Sequence, residues 1–337
     1  MSAFSPSLEE LQAAVDAELL AWLDRNREEL PEAVPLIDEL ARLARAGGKR
    51  IRPSFCYWGF RSAHGSHGGE IVRAAASLEL LHTFAIVHDD IMDAADERRG
   101  EPTIHSKHGT SVALLAGDLA LVLADALFAG SGFPPEMVLC AFDAYSRMRR
   151  EVIAGQYLEL AYSREPAMSE EDARRIAVLK SGCYSVEEPM LIGASLGGAK
   201  DELLAGLARF GRPLGEAFQL RDDLLGTFGE PASTGKPVDS DLREGKRNIL
   251  FAKAVAALAG EERTFFLSRW GAGAAVSPEE IKRLKALVES SGARVATEGL
   301  LSELVDRAGA ALADLDVDEE ARAALGTLAR SATDRSA

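Results

Sequence analysis

Three aspartates close an apolar run. The stretch LELLHTFAIVHDDIMD, residues 78–93, carries Asp89, Asp90 and Asp93 at its end. On a helix, Asp89 and Asp93 stand about 40° apart and one turn from each other, on one face. His82 lies seven residues before Asp89 and shares that face two turns earlier. Carboxylates gathered at a helix end repel one another, so a cation is expected beside them. Oxygen ligands with no thiolate nearby suit Mg2+, which takes one or two carboxylates and completes its shell with phosphate and water. A solvated helix end is the alternative. A second acidic group, Asp222 and Asp223, sits in FQLRDDLLGTFG. There Gln219, Asp222 and Gly226 fall on one helical face, with Asp223 about 100° round it. The pairing of two acidic helix segments suggests that they face each other across one cavity.

Cations accompany the acids. Gly47-Gly48-Lys49-Arg50-Ile51-Arg52-Pro53 breaks the chain and places Pro53 as the first residue of a new helix. Three cations at a helix N-terminus oppose its dipole unless an anion such as phosphate docks among them; a basic surface turn is the alternative. Arg98 and Arg99 follow the aspartates closely. They either bind phosphate in bidentate fashion or pair with Asp96, Glu97 or the aspartates themselves. Lys180 stands inside an apolar helix, where a snorkelling lysine is the commoner arrangement unless an anion faces it. His64 and His67, in a short Gly/Ser loop, read as solvated. Thr234-Gly235-Lys236-Pro237 has the look of a phosphate-loop ending, but no strand precedes it and Pro237 replaces the hydroxyl residue.

The elements that must position these groups read as helices throughout. Ser7 with Glu10, and Ser277 with Glu280, are capping boxes; Ser169 caps a third helix that runs to about Leu196 with a kink at Lys180-Ser181-Gly182. Further helices are expected over about 33–45, 111–129 and 135–162, and several amphipathic ones after Asn248, with a frayed tail over about 331–337. No alternating strand pattern appears. The chain is therefore expected to be all-α, a single domain over 1–337. Its 337 residues are 47% hydrophobic with a net charge of −15, which argues against a nucleic-acid partner and leaves an anionic substrate dependent on local cations or metal. Three cysteines without metal-ligand spacing fit a reducing cytoplasm. The most apolar region, 112–130, is interrupted by Asp118 and Asp125 and reads as a buried helix, not a membrane span.

Two carboxylate clusters, scattered cations and apolar helices between them suit an apolar substrate carrying a diphosphate. In order and spacing, GGKRIRP, HDDIMD followed by ERRG, GQYLEL, LKS, FQLRDD and TGKP…DLREGKR resemble the motif set of the trans-polyprenyl diphosphate synthases, in particular bacterial geranylgeranyl diphosphate synthases. The resemblance covers about residues 45–250. It implies the isoprenoid synthase fold, a helical bundle around an apolar cavity, and a homodimer. It also implies Mg2+ as cofactor, three ions with substrate bound. Asp89, Asp93 and Asp222 would hold the metal, supported by Asp90 and Asp223. Arg98, Lys180, Ser181, Gln219, Lys236 and Lys246 would hold the allylic diphosphate, and Lys49, Arg52, His82 and Arg99 would hold isopentenyl diphosphate. The allylic C–O bond would ionise, the alkene of isopentenyl diphosphate would attack the carbocation, and a proton would leave to the released diphosphate. Phe84 and Ala85, five and four residues before Asp89, would form the floor of the tail pocket in a pattern similar to C20 producers. One departure stands out: Gly226 occupies the place where many relatives carry a third aspartate. Alternative readings are the same chemistry with another chain length, a class I terpene cyclase, or a non-catalytic partner subunit.

Overall fold

Helices begin where the capping signals mark them. The computed structural model describes residues 6–98, 100–163, 165–229 and 239–333. Both capping boxes form: the Ser7 hydroxyl accepts from the Glu10 amide ahead of α1 (Leu8–Glu29), and Ser277 caps Pro278–Ser290 the same way. A short 3₁₀ turn leads into α2 (Val34–Arg45). α3 (Ile51–Ser62) starts two residues earlier than the proline suggests, because Arg50 adopts a left-handed conformation, φ 48°, as its N-cap. Pro53 is thus the third helical residue, where the missing amide is still one that no intrahelical bond requires. α4 (Gly69–Met92) ends on the first acidic cluster.

The polar loop that follows contains more structure than the sequence suggests. Two-residue strands β1 (Glu97–Arg98) and β2 (Glu101–Pro102) pair antiparallel, and α5 (Ile104–His108) is capped by Thr103. Then come α6 (Thr110–Ala129), α7 (Pro135–Tyr162) and α8 (Glu170–Ala177). The expected kink at Lys180-Ser181-Gly182 falls in a stretch whose hydrogen bonding changes. The helix widens into ten residues of π-helix, Val178–Glu187, and continues as α9 (Glu188–Leu196). α10 (Asp201–Phe228) carries the second acidic cluster. The remainder is α11 (Ser240–Glu244), α12 (Ile249–Ala257), α13 (Gly260–Arg269), α14 (Pro278–Ser290), α15 (Ala293–Ala313) and α16 (Glu319–Thr333). The last of these holds Ala332 and Thr333 buried, so residues 331–333, expected to be frayed, are part of a packed helix.

The chain forms two compact units. One comprises the described residues up to Tyr145, Pro189–Leu204 and Asp316–Leu328; the other comprises Ser146–Glu188, Ala205–Leu315 and the described residues from Ala329. In the first, α4 is the central helix, packed on α6, α1 and α3. In the second, α12 packs on α8, α14 and α15 around a core that includes Phe251, Phe266 and Trp270. Two helices, Gly69–Met92 and Thr110–Ala129, are long and apolar enough by composition to cross a membrane. The first is two-thirds buried within the fold. The second is less buried than expected, leaving Leu114, Leu115 and Val122 exposed.

Candidate active site

In the first unit, Asp89, Asp90 and Asp93 occupy the last turn of α4 and its C-cap. Asp89 and Asp93 are half-buried, whereas Asp90 is 3% exposed. Arg98, on β1, donates from Nε to Asp90 Oδ1 at 2.6 Å and stands 3.7 Å from Asp89 Oδ2. The small ribbon thus folds this arginine back over the acids. Burial pushes the Asp90 carboxyl up, and the Arg98 guanidinium opposes the shift without cancelling it. The ribbon is braced in turn: Thr103 donates to Ala95 O, and Glu39 on α2 accepts from Arg42, from Lys107 and, through the ring nitrogen, from His108. Burial would raise the Glu39 carboxyl, but these three partners outweigh it and bring it down to about 2.

Of the three cations in GGKRIRP, one is excluded from ligand binding. Arg50 is 4% exposed and fully engaged, by Asp16 at 2.6 Å, Glu79 at 2.8 Å and the Ala44 carbonyl at 2.6 Å. Lys49 is exposed and Arg52 half-buried beside it. The anion site read from the sequence therefore reduces to two cations, with the third acting as the internal bolt between α1, α3 and α4. His82 and Arg98 line one cavity together with Arg42, Arg50, Glu79 and Glu101. Phe84 and Ala85 are half-buried; the Phe84 ring meets His88 edge-on at 4.9 Å. Arg99 and Lys236 lie outside the described residues.

In the second unit, Asp222 is half-buried and Asp223 is 5% exposed on α10. Gln219, one turn earlier, donates its amide to Asp223 Oδ1 at 2.7 Å instead of pointing away from it. Burial first, then the nearby Asp241 charge, pushes Asp223 to about 8, with Gln219 and Lys246 pulling the other way. Lys246 Nζ is 3.4 Å from Asp241 and 3.6 Å from Glu244. Lys180 lies on the π-helical segment and pairs with Glu159 of α7. That contact needs close helices: a Cβ on Gly155 would stand 2.6 Å from the Lys180 amide nitrogen. Ser181 follows, half-buried. Sequence reading carried Glu159 in GQYLEL and Asp241 in DLREGKR without assigning a partner to either, and passed over Glu39. The glycine of GQYLEL signals close contact there, since a glycine inside a helix often marks close backbone approach; nothing local marks Glu39.

Among the described residues no three His, Cys, Asp or Glu side chains are gathered as a ready metal cage. The donors present are carboxylates alone, two of them, Asp89 and Asp93, one turn apart at the end of α4. That donor set suits a hard cation that takes only one or two protein ligands from each element and finishes its shell with phosphate.

Comparison with known proteins agrees. The polyprenyl synthetase family model matches residues 34–288. The chain is 37% identical to the geranylgeranyl diphosphate synthase of Sulfolobus acidocaldarius over 74% of this chain and 75% of that one. It is 34% identical to the geranylfarnesyl diphosphate synthase of Aeropyrum pernix over 85% and 90%. Among solved structures it is similar to a geranylgeranyl pyrophosphate synthase of Corynebacterium glutamicum complexed with isoprenyl diphosphate and magnesium. That likeness has a TM-score of 0.94 at 35% identity, covering 98% of this chain and 100% of that one. With two acidic helix ends, their attendant cations and an all-α frame already in place, the chain belongs to the polyprenyl synthetase family.

Proposed function

We propose that this protein is a Mg2+-dependent trans-prenyltransferase that condenses isopentenyl diphosphate with an allylic diphosphate, farnesyl or shorter, to give geranylgeranyl diphosphate. The observation that carries the reading is the pair of aspartates, Asp89 and Asp93, one turn apart at the end of α4 with Arg98 folded over their neighbour Asp90. In this reading Asp89, Asp93 and Asp222 bind three Mg2+ ions, and Asp90 and Asp223 support them. The bound metal neutralises charge building on the departing diphosphate. Arg98, Lys180, Ser181, Gln219, Lys236 and Lys246 orient the allylic diphosphate. Lys49, Arg52, His82 and Arg99 hold isopentenyl diphosphate. Glu159 keeps Lys180 extended until the diphosphate takes its place as partner. Apolar walls exclude water, which would otherwise capture the allylic cation, and Phe84 and Ala85 form the floor under the growing tail. The enzyme works as a cytoplasmic homodimer. An exposed apolar stripe along α7, formed by Leu139, Phe142, Ile153, Tyr157 and Leu160, supports the dimer.

The test is product analysis. The full chain with Mg2+ and isopentenyl diphosphate is incubated separately with dimethylallyl, geranyl and farnesyl diphosphates, and the dephosphorylated products are sized by chromatography and mass spectrometry. A C20 alcohol is the expected product, lost when the metal is chelated. Alcohols of another length would keep the chemistry and overturn the chain-length assignment. Hydrocarbons formed without consumption of isopentenyl diphosphate would make the protein a cyclase, and no turnover of any primer would make it a partner subunit.

A further inference from the structure

Four arginines meet on one cleft of the second unit, and the proposed chemistry uses none of them. Arg174 of α8, Arg209 and Arg212 of α10 and Arg307 of α15 line a cavity of about 930 Å³. Arg209, Arg212 and Glu216 follow one another at intervals of three and four residues, so α10 presents them on one face. Two of the guanidinium groups are held from the protein side. Arg212 donates from Nε and Nη2 to the two carboxylate oxygens of Glu187, at 2.9 and 3.0 Å. Arg174 donates from the same two atoms to Glu216, at 2.6 and 3.3 Å. Both carboxylates are buried, while Arg212 is exposed and Arg174 half-buried. Pairing of this kind engages two of the five N–H donors of a guanidinium and leaves its Nη1 edge for a further acceptor.

The other two arginines are bound more loosely. Among the described residues Arg209 has no carboxylate partner. Arg307 meets Glu303 at 4.0 Å, a contact between two exposed side chains that water screens. Glu170, which also acts on Arg174, is held by Lys253 at 2.7 Å. The lining thus sets four guanidinium groups against two buried carboxylates, in a chain whose net charge is −15. Cations gathered in a concave site raise the local concentration of an anion there. Val178, Pro213 and Leu304 make the rest of the lining apolar, which favours an anion that carries a carbon body over a bare ion.

The cleft also reaches both ends of the segment that carries Lys180. Val178 and Glu187, both in its lining, are the first and last residues of the π-helical segment. The Arg212–Glu187 pair ties the end of that segment to α10, and the Arg174–Glu216 pair ties the turn before its start to the same helix. A ligand that draws on both arginines therefore acts on both ends at once. We propose that this cleft is an effector site for an organic monophosphate with a small apolar body, bound without metal, and that its occupancy changes diphosphate affinity at Lys180 through the π-helical segment. The phosphate takes its donors from Arg209, Arg307 and the remaining edges of Arg174 and Arg212. The coupling to Lys180 rests on the prenyltransferase reading; binding at the cleft does not.

The experiment is calorimetric titration of the full chain with phenyl phosphate and, separately, with inorganic phosphate, both in EDTA, for the wild type, R209E/R307E and R209Q/R307Q. Both positions are exposed, and changing them leaves the pairs of Glu187 and Glu216 intact; circular dichroism checks the fold. The wild type is expected to bind phenyl phosphate several-fold more tightly than inorganic phosphate. Each double variant is expected to bind phenyl phosphate about tenfold more weakly, the usual loss when hydrogen bonds to a charged group are removed. No binding by the wild type, equal affinity for the two probes, or unchanged binding by R209E/R307E would overturn the site. Mg2+ and inorganic diphosphate are then titrated with and without saturating phenyl phosphate. A change of about fivefold in diphosphate affinity, absent in R209E/R307E, is the expected coupling. No change would overturn the effector role. A wild type that binds phenyl phosphate in the cleft but shows no Mg2+–diphosphate binding would overturn the prenyltransferase reading and the coupling, and would leave the site standing.

Discussion

Phe84 is the residue whose role depends most on its neighbours. Its ring packs edge-on against His88, and His88 Nε2 lies 3.2 Å from the Leu114 carbonyl of α6. The imidazole fits only because Gly117 has no side chain; a Cβ there would stand 2.3 Å from Nε2. On the helical wheel alone Phe84 points well away from the aspartate face, yet it is half-buried and braced by an aromatic neighbour. Phe84→Ala is expected to lengthen the main product by one or more isoprene units, read by mass spectrometry of the dephosphorylated alcohols. An unchanged length would remove Phe84 as the floor. At the residues proposed to hold Mg2+, Asp89→Asn and Asp222→Asn are each expected to lower kcat on the order of a hundredfold, the usual loss when one group stabilising developing charge is removed. The product length should stay as in the wild type, since in the proposed function both residues act at the diphosphate end.

At the scale of elements, the site-bearing helices are placed by glycines. Gly182 in the π-helical segment and Gly215 in α10 meet face to face: a Cβ on Gly215 would be 2.4 Å from the Gly182 carbonyl oxygen. That oxygen belongs to backbone and cannot swing aside. Gly215→Ala is expected to cost about 1–3 kcal/mol, the usual range for overpacking, measured as a shift in the denaturation midpoint. It should also weaken diphosphate binding, because the strain falls two residues from Lys180. The ribbon that carries Arg98 depends on a different device, the Glu39 carboxylate that joins α2 to α5. Its carboxyl lies near 2 in the folded protein against an ordinary 4.5, so its contribution is complete above about pH 4.5 and is lost as the pH falls toward 2. Glu39→Gln should therefore lower the melting temperature at pH 7 and flatten its decline between pH 4.5 and 2. A parallel decline in both proteins would assign the acid sensitivity to other groups.

At the scale of the whole molecule, a net charge of −15 sets the background against which an anionic substrate must bind. Lys180, Lys246 and Arg98 are each already paired with a carboxylate, so in the proposed function diphosphate binding is an exchange of partners. The surface has its own signature. Leu115 of α6, and Leu139 and Tyr157 of α7, are 58%, 72% and 69% exposed, an unusual apolar display for helices of a highly charged chain. A dimer is the expected species in sedimentation equilibrium, and Leu139→Glu together with Tyr157→Glu should convert it to a monomer. A wild type that sediments as a monomer at micromolar concentration would remove the dimer from the proposed function.

Local chemistry determined much on its own. Ser7, Ser169 and Ser277 started their helices because a cap needs only the side chain and the next three amides. The aspartate spacing in HDDIMD predicted shared faces because 3.6 residues per turn is a property of the chain itself. Partners were another matter. That Arg50 is an internal bolt, that Glu159 answers Lys180 and that Asp241 fills the space at Gly226 depend on residues 29, 21 and 15 positions away coming within contact. Only tertiary packing decides such contacts, because it chooses which of several nearby opposite charges a long side chain can reach once the helices have closed on one another.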